Sequence, residues 1–311
     1  MNLHPKTEPV KRTDRPRFYD VSDRALLKLT GSESLDFLQR ISTNDLKDLK
    51  SGVSVPTILT NEKGRIVDLL SVVVAEPGTI MLVGNSTSPE LLVDWLRKYT
   101  IMEDIIAEDI TPLYSQVLVL NAQEDPIVDL RKDFEHSSLL IVDEGASKWG
   151  KRLIVDSGAK SKLVDNLCDS GAEPLTSPEF DRYRIAEGIP GYPQEISLSF
   201  NPLELGLWSF VSWTKGCYIG QEVIARLDTY KKVQKALVRM RFPSRPPMLP
   251  CTVFCEGVES GAITSSTENG EMSGHLGLGL LRTQSLESGG KFWFVDGDRK
   301  VLIEVMSKVV Q

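Results

Sequence analysis

The sequence predicts an α+β protein that ends in an all-β module. Two predicted helices start with the same residues, Ser-Pro-Glu at 88–90 and at 177–179, as a duplicated α+β unit would leave behind. After Lys235 the pattern changes to short strand-like stretches separated by turn-forming residues, which is typical of a small barrel or a sandwich. We therefore expect two α+β units followed by a β module.

Local patterns assign the elements of the first unit. Gly31-Ser32 opens a helix in which Leu35, Leu38 and Ile41 share one apolar face. Gly64 suits the left-handed residue of a turn between two strands. The predicted elements are strands over 19–29, 53–60, 66–74 and 79–83, and helices after Ser32 and after Ser88.

The second unit and the β module follow the same logic. Gly171 and Gly188 predict helix ends, because glycine readily adopts the left-handed conformation that closes many helices. The second unit has predicted strands over 116–120, 127–130, 139–142 and 153–155, and helices over 160–168 and from 177 to 188. The β module has predicted strands over 236–241, 252–255, 261–265, 276–281, 291–295 and 301–305.

Composition narrows the class of protein. The 311 residues include 36 Lys and Arg against 43 Asp and Glu, a net charge of −7, which argues against broad non-specific binding of nucleic acid. No apolar run of about 20 residues predicts a transmembrane helix. Residues 1–16 are polar and lack the apolar core of a secretory signal, so we expect a loose arm there.

The cysteines and histidines do not predict a disulfide or a metal site. Cys251 and Cys255 lie four residues apart on a predicted strand, a span of roughly 13 Å. A disulfide needs Cα atoms within about 7 Å, so the two thiols should not bridge. The three histidines are far apart in sequence, and we expect no bound metal.

One stretch concentrates reactive chemistry, Lys215-Gly216-Cys217-Tyr218-Ile219-Gly220-Gln221-Glu222. The apolar spacing after it predicts a helix that begins near Gly220. Cys217 would then lie just before a helix N-terminus, with Lys215 nearby, and both features favour a thiolate and lower the thiol pKa. The alternative is a buried structural cysteine in a glycine-rich turn.

This stretch resembles the signature of the YgfZ family, which comprises folate-binding relatives of the glycine cleavage T-protein. The family pattern is Lys-Gly-Cys-aromatic-x-Gly-Gln-Glu, and the chain matches it at every fixed position. Residues 201–208 also resemble the cyanobacterial and plastid branch of the family. The resemblance covers nearly the whole chain and includes 18–22, 61–68, 184–190, 261–265 and 277–282.

The resemblance implies a fold and a domain organisation. Proteins of this family have two intertwined ferredoxin-like units and a C-terminal β-barrel around a central folate site. The implied domains are an arm over 1–16, a folate-binding region over 17–234 with the second unit inserted at about 50–112, and a barrel over 235–311.

The resemblance also implies a cofactor and a site. The cofactor is tetrahydrofolate or a one-carbon derivative, and Cys217 and Lys215 are the implied catalytic residues. The implied folate contacts are Asp68, Asn85, Arg184, Glu187, Gly216, Tyr218, Gln221, Glu222 and Arg226.

Two departures from the T-protein bear on activity. The T-protein has paired aspartates where this chain has Asp68-Leu69, and one of that pair assists chemistry on the folate. The T-protein also has Arg-Leu-Glu-Ala-Gly where this chain has Arg184-Ile185-Ala186-Glu187-Gly188, and on a helix a one-residue shift turns a side chain by about 100°. Whether the chain is an enzyme therefore stays open.

We expect a folate-dependent accessory protein for assembly or repair of iron–sulfur clusters, which indirectly supports tRNA-modifying and other cluster enzymes. Cys217 would act as a nucleophile or as a transient thiolate ligand. The alternatives are an aminomethyl or one-carbon transferase and a passive folate-binding module. The expected partners are iron–sulfur client or assembly proteins, without direct contact to nucleic acid or membrane. We expect a monomer in the bacterial cytoplasm or, as a mature chain, in a plastid or the mitochondrial matrix.

Overall fold

The computed structural model describes residues 15–76, 78–120, 130, 134, 139–145, 149–270 and 273–310. These residues form two five-stranded sheets with packed helices, followed by a closed six-stranded barrel. The predicted α+β class is confirmed, and the β module is a barrel rather than a sandwich. Within the described ranges, no helix has the length and apolar character needed to cross a membrane.

The elements follow one another in this order: β1 (Arg17–Asp20), β2 (Leu26–Thr30), α1 (Ser34–Ile41), β3 (Ser54–Thr60), β4 (Ile66–Glu76), β5 (Thr79–Val83), α2 (Pro89–Tyr99), β6 (Ile106–Asp109), β7 (Tyr114–Leu120), β8 (Leu140–Asp143), β9 (Lys151–Asp156), α3 (Lys160–Asp169), β10 (Glu173–Pro174), α4 (Ser177–Glu187), α5 (Gln221–Thr229), β11 (Lys235–Phe242), β12 (Cys251–Cys255), β13 (Val258–Glu268), β14 (His275–Arg282), α6 (Thr283–Glu287), β15 (Phe292–Asp296) and β16 (Arg299–Lys308).

The first sheet has the strand order β3-β4-β5-β2-β6, and every neighbouring pair is antiparallel. Without the edge strand β3, this is the order of a ferredoxin-like unit. Helices α1 and α2 cover one face, where Phe37, Leu38, Leu92 and Leu96 are buried against the sheet. The predicted turn at 61–65 is confirmed, and Gly64 has a φ of +65° there.

The second sheet has the order β10-β1-β7-β9-β8, in which β1 is parallel to β10 and antiparallel to β7. Strand β1 precedes the whole first sheet in the chain but pairs in the second, so the two units are intertwined. The prediction of a single strand over 19–29 is therefore wrong. Asp20 accepts a hydrogen bond from the Ser22 backbone N–H, and the chain turns there between β1 and β2.

Other differences from the sequence predictions are local. Strands β6 and β10 and the short helix α6 were not predicted, because they are short and lack a clear apolar period. The N-cap of α4 is Thr176 instead of Ser177, and a capping box joins it to Glu179. The strand predicted over 127–130 lies outside the described residues except at Leu130.

Two apolar clusters hold the parts of the molecule together. Leu26, Val73 and Val83 of the first sheet pack against Val142 and Ile154 of the second. A larger cluster joins the hairpin β3–β4 and the segment between α4 and α5 to the barrel strands, through Ile58, Ile66, Leu205, Leu207, Leu237, Leu278 and Val309. The space enclosed between the two sheets and α4 contains the candidate site.

Candidate functional site

A cavity of about 220 Å³ lies where the two sheets meet α4 and the segment that follows it. Its walls come from β1 and the turn after it, the turn after β5, strand β7, and the residues on either side of Gly188. Two of the predicted folate contacts, Asn85 and Arg184, line this cavity. A ligand pocket formed at a junction of structural units is a common arrangement in enzymes and binding proteins.

Asn85 fixes an arginine in the cavity wall. Its side-chain Nδ2 donates to the Leu69 carbonyl (2.8 Å), and its Oδ1 accepts from Arg24 Nη1 (2.8 Å). Burial, followed by the charge of Arg152, lowers the pKa of the Arg24 guanidinium to about 10. No local sequence pattern distinguishes Arg24 from an exposed arginine in a turn, so its place in the cavity wall was not predicted.

Asp68 holds the turn that carries Asn85. Its carboxylate is 1% exposed and accepts hydrogen bonds from the backbone N–H groups of Leu69 (2.8 Å) and Ser86 (3.2 Å). Burial raises the Asp68 pKa to about 7, against the opposing effect of these hydrogen bonds. A Cβ on Gly84 would lie 2.6 Å from Asp68 Oδ2, so only glycine fits there without displacement. Asp68 thus orients the cavity wall from behind.

An aromatic pair forms a flat part of the wall. The rings of Tyr19 and Phe180 stack with centroids 4.3 Å apart and an angle of 6° between their planes. The Tyr19 hydroxyl pairs with the Ser177 hydroxyl at 3.0 Å, and the Arg24 guanidinium lies 5.8 Å from the centre of the Phe180 ring. Such a surface suits a planar heterocycle.

Arg184 belongs to a buried polar network that reaches the barrel. Its Nε donates to Asp181 Oδ1 (2.6 Å), its Nη1 to Glu195 Oε2 (3.3 Å) and its Nη2 to Ser265 Oγ (3.1 Å). Glu195, which is 0% exposed, also accepts from Thr264 Oγ1 (2.5 Å) and Ser265 Oγ (2.7 Å). Arg184 therefore lines the cavity with a guanidinium that is already held by three partners.

A second buried ion pair lies behind the opposite wall. Arg152, which is 0% exposed, pairs with Glu144, a cavity-lining residue. Arg152 Nη1 donates to the Gly84 carbonyl (2.8 Å) and to Gln116 Oε1 (3.1 Å). The pair ties β9 to the same Gly84 turn that Asp68 supports.

The loop formed by residues 215–222 lies outside this cavity. None of its residues lines the described cavity. The Lys215 amine donates to the backbone carbonyls of Ser42 (2.9 Å) and Asn44 (2.6 Å), and burial lowers its pKa to about 8. Lys215 therefore anchors the loop to the end of α1, which differs from the predicted role beside the thiol.

Tyr218 and Gly220 anchor the other half of the loop. Tyr218 is buried with Leu203, Val211 and Ile224, and this burial raises its pKa to about 12. Gly220 is the N-cap of α5, as predicted, with a φ of +82°. A Cβ there would lie 2.6 Å from the Asn61 carbonyl oxygen, so the glycine permits close contact with the β3–β4 turn.

Between these two anchors, Gly216 and Cys217 are exposed, and Cys217 carries a free thiol. The predicted contacts Glu222 and Arg226 are exposed on α5, Gln221 is half-buried, and Glu187 is half-buried at the end of α4. These four residues do not line the described cavity. In the described ranges, no group of three or more His, Cys, Asp or Glu residues is placed to hold a metal ion.

The α+β fold is of the glycine cleavage T-protein type. The fold matches the crystal structure of glycine cleavage system aminomethyltransferase T from Bartonella henselae with a TM-score of 0.77 and 18% identity. The match covers 94% of this chain and 85% of that one. At this identity, the likeness establishes the fold alone.

Sequence comparison also finds T-protein-like relatives. The profile of the GCVT N-terminal domain matches residues 13–123. A chloroplastic Arabidopsis thaliana protein, named provisionally as a transferase, is 28% identical over 87% of this chain, which spans 66% of the plant protein. An aminomethyltransferase of Bacillus licheniformis is 25% identical over 86% of this chain and 79% of its own length. The chain is thus T-protein-like in sequence as well as in fold.

Proposed function

We propose that the chain binds tetrahydrofolate or a one-carbon derivative in the cavity between the sheets. The observation that carries this proposal is the stacked pair of Tyr19 and Phe180 beside arginine and carboxylate side chains in one cavity. A reduced folate combines a flat pterin ring, a donor and acceptor edge, and an anionic tail. The aromatic wall suits the ring, and polar groups such as Asp181 suit its donor edge.

Calorimetry under anaerobic conditions tests the binding. We expect tetrahydrofolate to bind the wild type with measurable heat. Phe180→Leu should bind it about tenfold more weakly, because the substitution removes the aromatic ring that stacks while it keeps most of the apolar volume. Tyr230→Leu is the control, because Tyr230 is an exposed aromatic residue outside the cavity. No heat and no competition at millimolar folate would count against the proposal.

The proposed role of the folate-bound chain is that of an accessory protein for assembly or repair of iron–sulfur clusters. The support is the full match of residues 215–222 to the YgfZ signature, together with an exposed, free Cys217 held between buried Lys215 and Tyr218. An exposed thiol on an anchored loop can reach a client protein without rearrangement of the fold. The cluster itself would be cargo, with Cys217 supplying one transient thiolate.

Complementation tests this role. Cells that lack the protein should show reduced cluster content in client enzymes, and the wild type should restore it. We expect Cys217→Ser to fold normally and fail to restore cluster content, because Ser is nearly isosteric but is a poor cluster ligand. Cys168→Ser is the matched control, since Cys168 is also an exposed free thiol. A fully active Cys217→Ser variant would favour the passive folate-binding alternative.

Aminomethyl transfer is the second candidate, and it is favoured by the T-protein-like relatives. Two features of the chain oppose it. Leu69 stands where the T-protein has a second aspartate, and the Asp68 carboxylate is occupied by backbone N–H groups behind the cavity wall. We therefore expect no methylenetetrahydrofolate from an aminomethylated carrier protein above a control without enzyme. Clear product formation would establish the transferase instead.

A further inference from the structure

Among the described residues that line the cavity, Arg24 is a cation whose hydrogen-bond partner is neutral. Arg184 is paired with Asp181 and Glu195, but Arg24 donates its hydrogen bond to the amide oxygen of Asn85. Its guanidinium also lies over the ring of Phe180, and the nearby carboxylates of Glu144, Asp23 and Asp68 act on its charge through space. Arg24 thus keeps donors available toward the cavity, since a guanidinium carries five N–H groups.

The surroundings of Arg24 are rigid. Asn85 is held on its other side by the Leu69 carbonyl, and the backbone of its turn is held by Asp68. The arginine is therefore preorganised, so little side-chain entropy would be lost when a ligand binds. Burial and the nearby Arg152 charge also make the positive charge of Arg24 costly, and the carboxylates of Glu144, Asp23 and Asp68 offset only part of this cost.

We infer that Arg24 is the anchor for the anionic part of the ligand, a carboxylate of the benzoylglutamate tail if the ligand is the proposed reduced folate. A carboxylate accepts two parallel N–H hydrogen bonds from a guanidinium. Such charge-assisted, bidentate hydrogen bonds are among the strongest in proteins. The carboxylate would also compensate the positive charge of Arg24, whose hydrogen-bond partner is neutral. The pterin ring then occupies the remainder of the cavity. This inference rests on the proposed folate binding.

The test compares two ligands that differ only in the anionic tail. Tetrahydrofolate and tetrahydropterin, which lacks the tail, are titrated into the wild type and into Arg24→Gln. We expect Arg24→Gln to weaken tetrahydrofolate about 10- to 100-fold, as for loss of a hydrogen-bonded charge, and to leave tetrahydropterin within about threefold. Arg97→Gln is the matched control, because Arg97 is exposed on α2 and does not line the cavity, and it should leave tetrahydrofolate binding unchanged.

The possible outcomes separate the role assigned to Arg24 from the proposed folate binding. Equal weakening of both ligands, or of neither, overturns the assignment of Arg24 to the tail while folate binding itself stands. Absence of tetrahydrofolate binding to the wild type would instead refute the proposed function and this inference with it. If Arg24→Gln does not fold, Arg24→Lys is used instead, because lysine keeps the positive charge but lacks the planar guanidinium that binds a carboxylate through two N–H groups. It should give a smaller loss that is again confined to tetrahydrofolate.

Discussion

Arg184 of α4 donates a hydrogen bond to Glu195, a fully buried carboxylate in the segment that joins α4 to α5, and Glu195 in turn accepts from Thr264 and Ser265 of the barrel. The ion pair links the cavity wall to the C-terminal module. It also determines the orientation of one of the predicted folate contacts, because the Arg184 fork is held from several sides.

Removal of this carboxylate should destabilise the whole protein. Glu195→Ala removes the fully buried partner of the Arg184 charge and should lower the free energy of unfolding by about 3–5 kcal/mol. Urea unfolding followed by circular dichroism measures the change. Asp181→Ala is the control, because that partner is 50% exposed and its pair with Arg184 should contribute about 1 kcal/mol or less. Similar losses for both variants would contradict this account.

Asp68 should make stability depend on pH in an unusual direction. Its pKa is raised by burial from 3.8 to about 7, so the folded state holds a proton that the unfolded state has released. Its contribution is complete below pH 4 and is lost as the pH rises through about 7. We expect the unfolding free energy of the wild type to fall relative to Asp68→Asn between about pH 4 and 7, the interval between the unfolded and folded pKa values. Parallel pH profiles for the two proteins would disprove it.

Two glycines offer a matched pair of substitutions. Gly84→Ala places a Cβ 2.6 Å from Asp68 Oδ2, while a Cβ on Gly216 meets nothing within 4 Å. Gly84→Ala should therefore cost about 1–3 kcal/mol of stability through overpacking, and Gly216→Ala should cost little. Thermal unfolding of the two variants checks this directly. A stable Gly84→Ala protein would mean that the Asp68 turn can relax.

Thiol accessibility should separate the cysteines into two pairs. Cys168 and Cys217 are exposed, whereas Cys251 and Cys255 are buried in β12. Iodoacetamide should modify the first pair in the native protein and the second pair only after unfolding, as read by peptide mass spectrometry. Saturating tetrahydrofolate should not slow the reaction of Cys217, because the loop contributes no residue to the described cavity. Strong protection by folate would place the ligand beside the loop instead.

Much of the fold was predictable because it follows local patterns. Several predicted features depend only on neighbours within a few residues. They are the apolar periodicity of α1 and α2, the glycine in the β3–β4 turn, the glycine at the start of α5 and the barrel strands separated by turns. The free state of Cys251 and Cys255 also followed from strand geometry alone. In each case the residues that determine the feature lie close together in the sequence.

The candidate site is formed by contacts between residues far apart in the sequence, which no local pattern predicts. Tyr19, Arg24, Asn85 and Arg184 form one cavity although they come from distant parts of the chain, and the Lys215 amine turns to carbonyls at the end of α1. The split of 19–29 into strands of different sheets has the same origin. A sequence period determines which face of a strand is apolar. Only the packing of the whole chain decides which sheet that strand joins and which charged groups meet there.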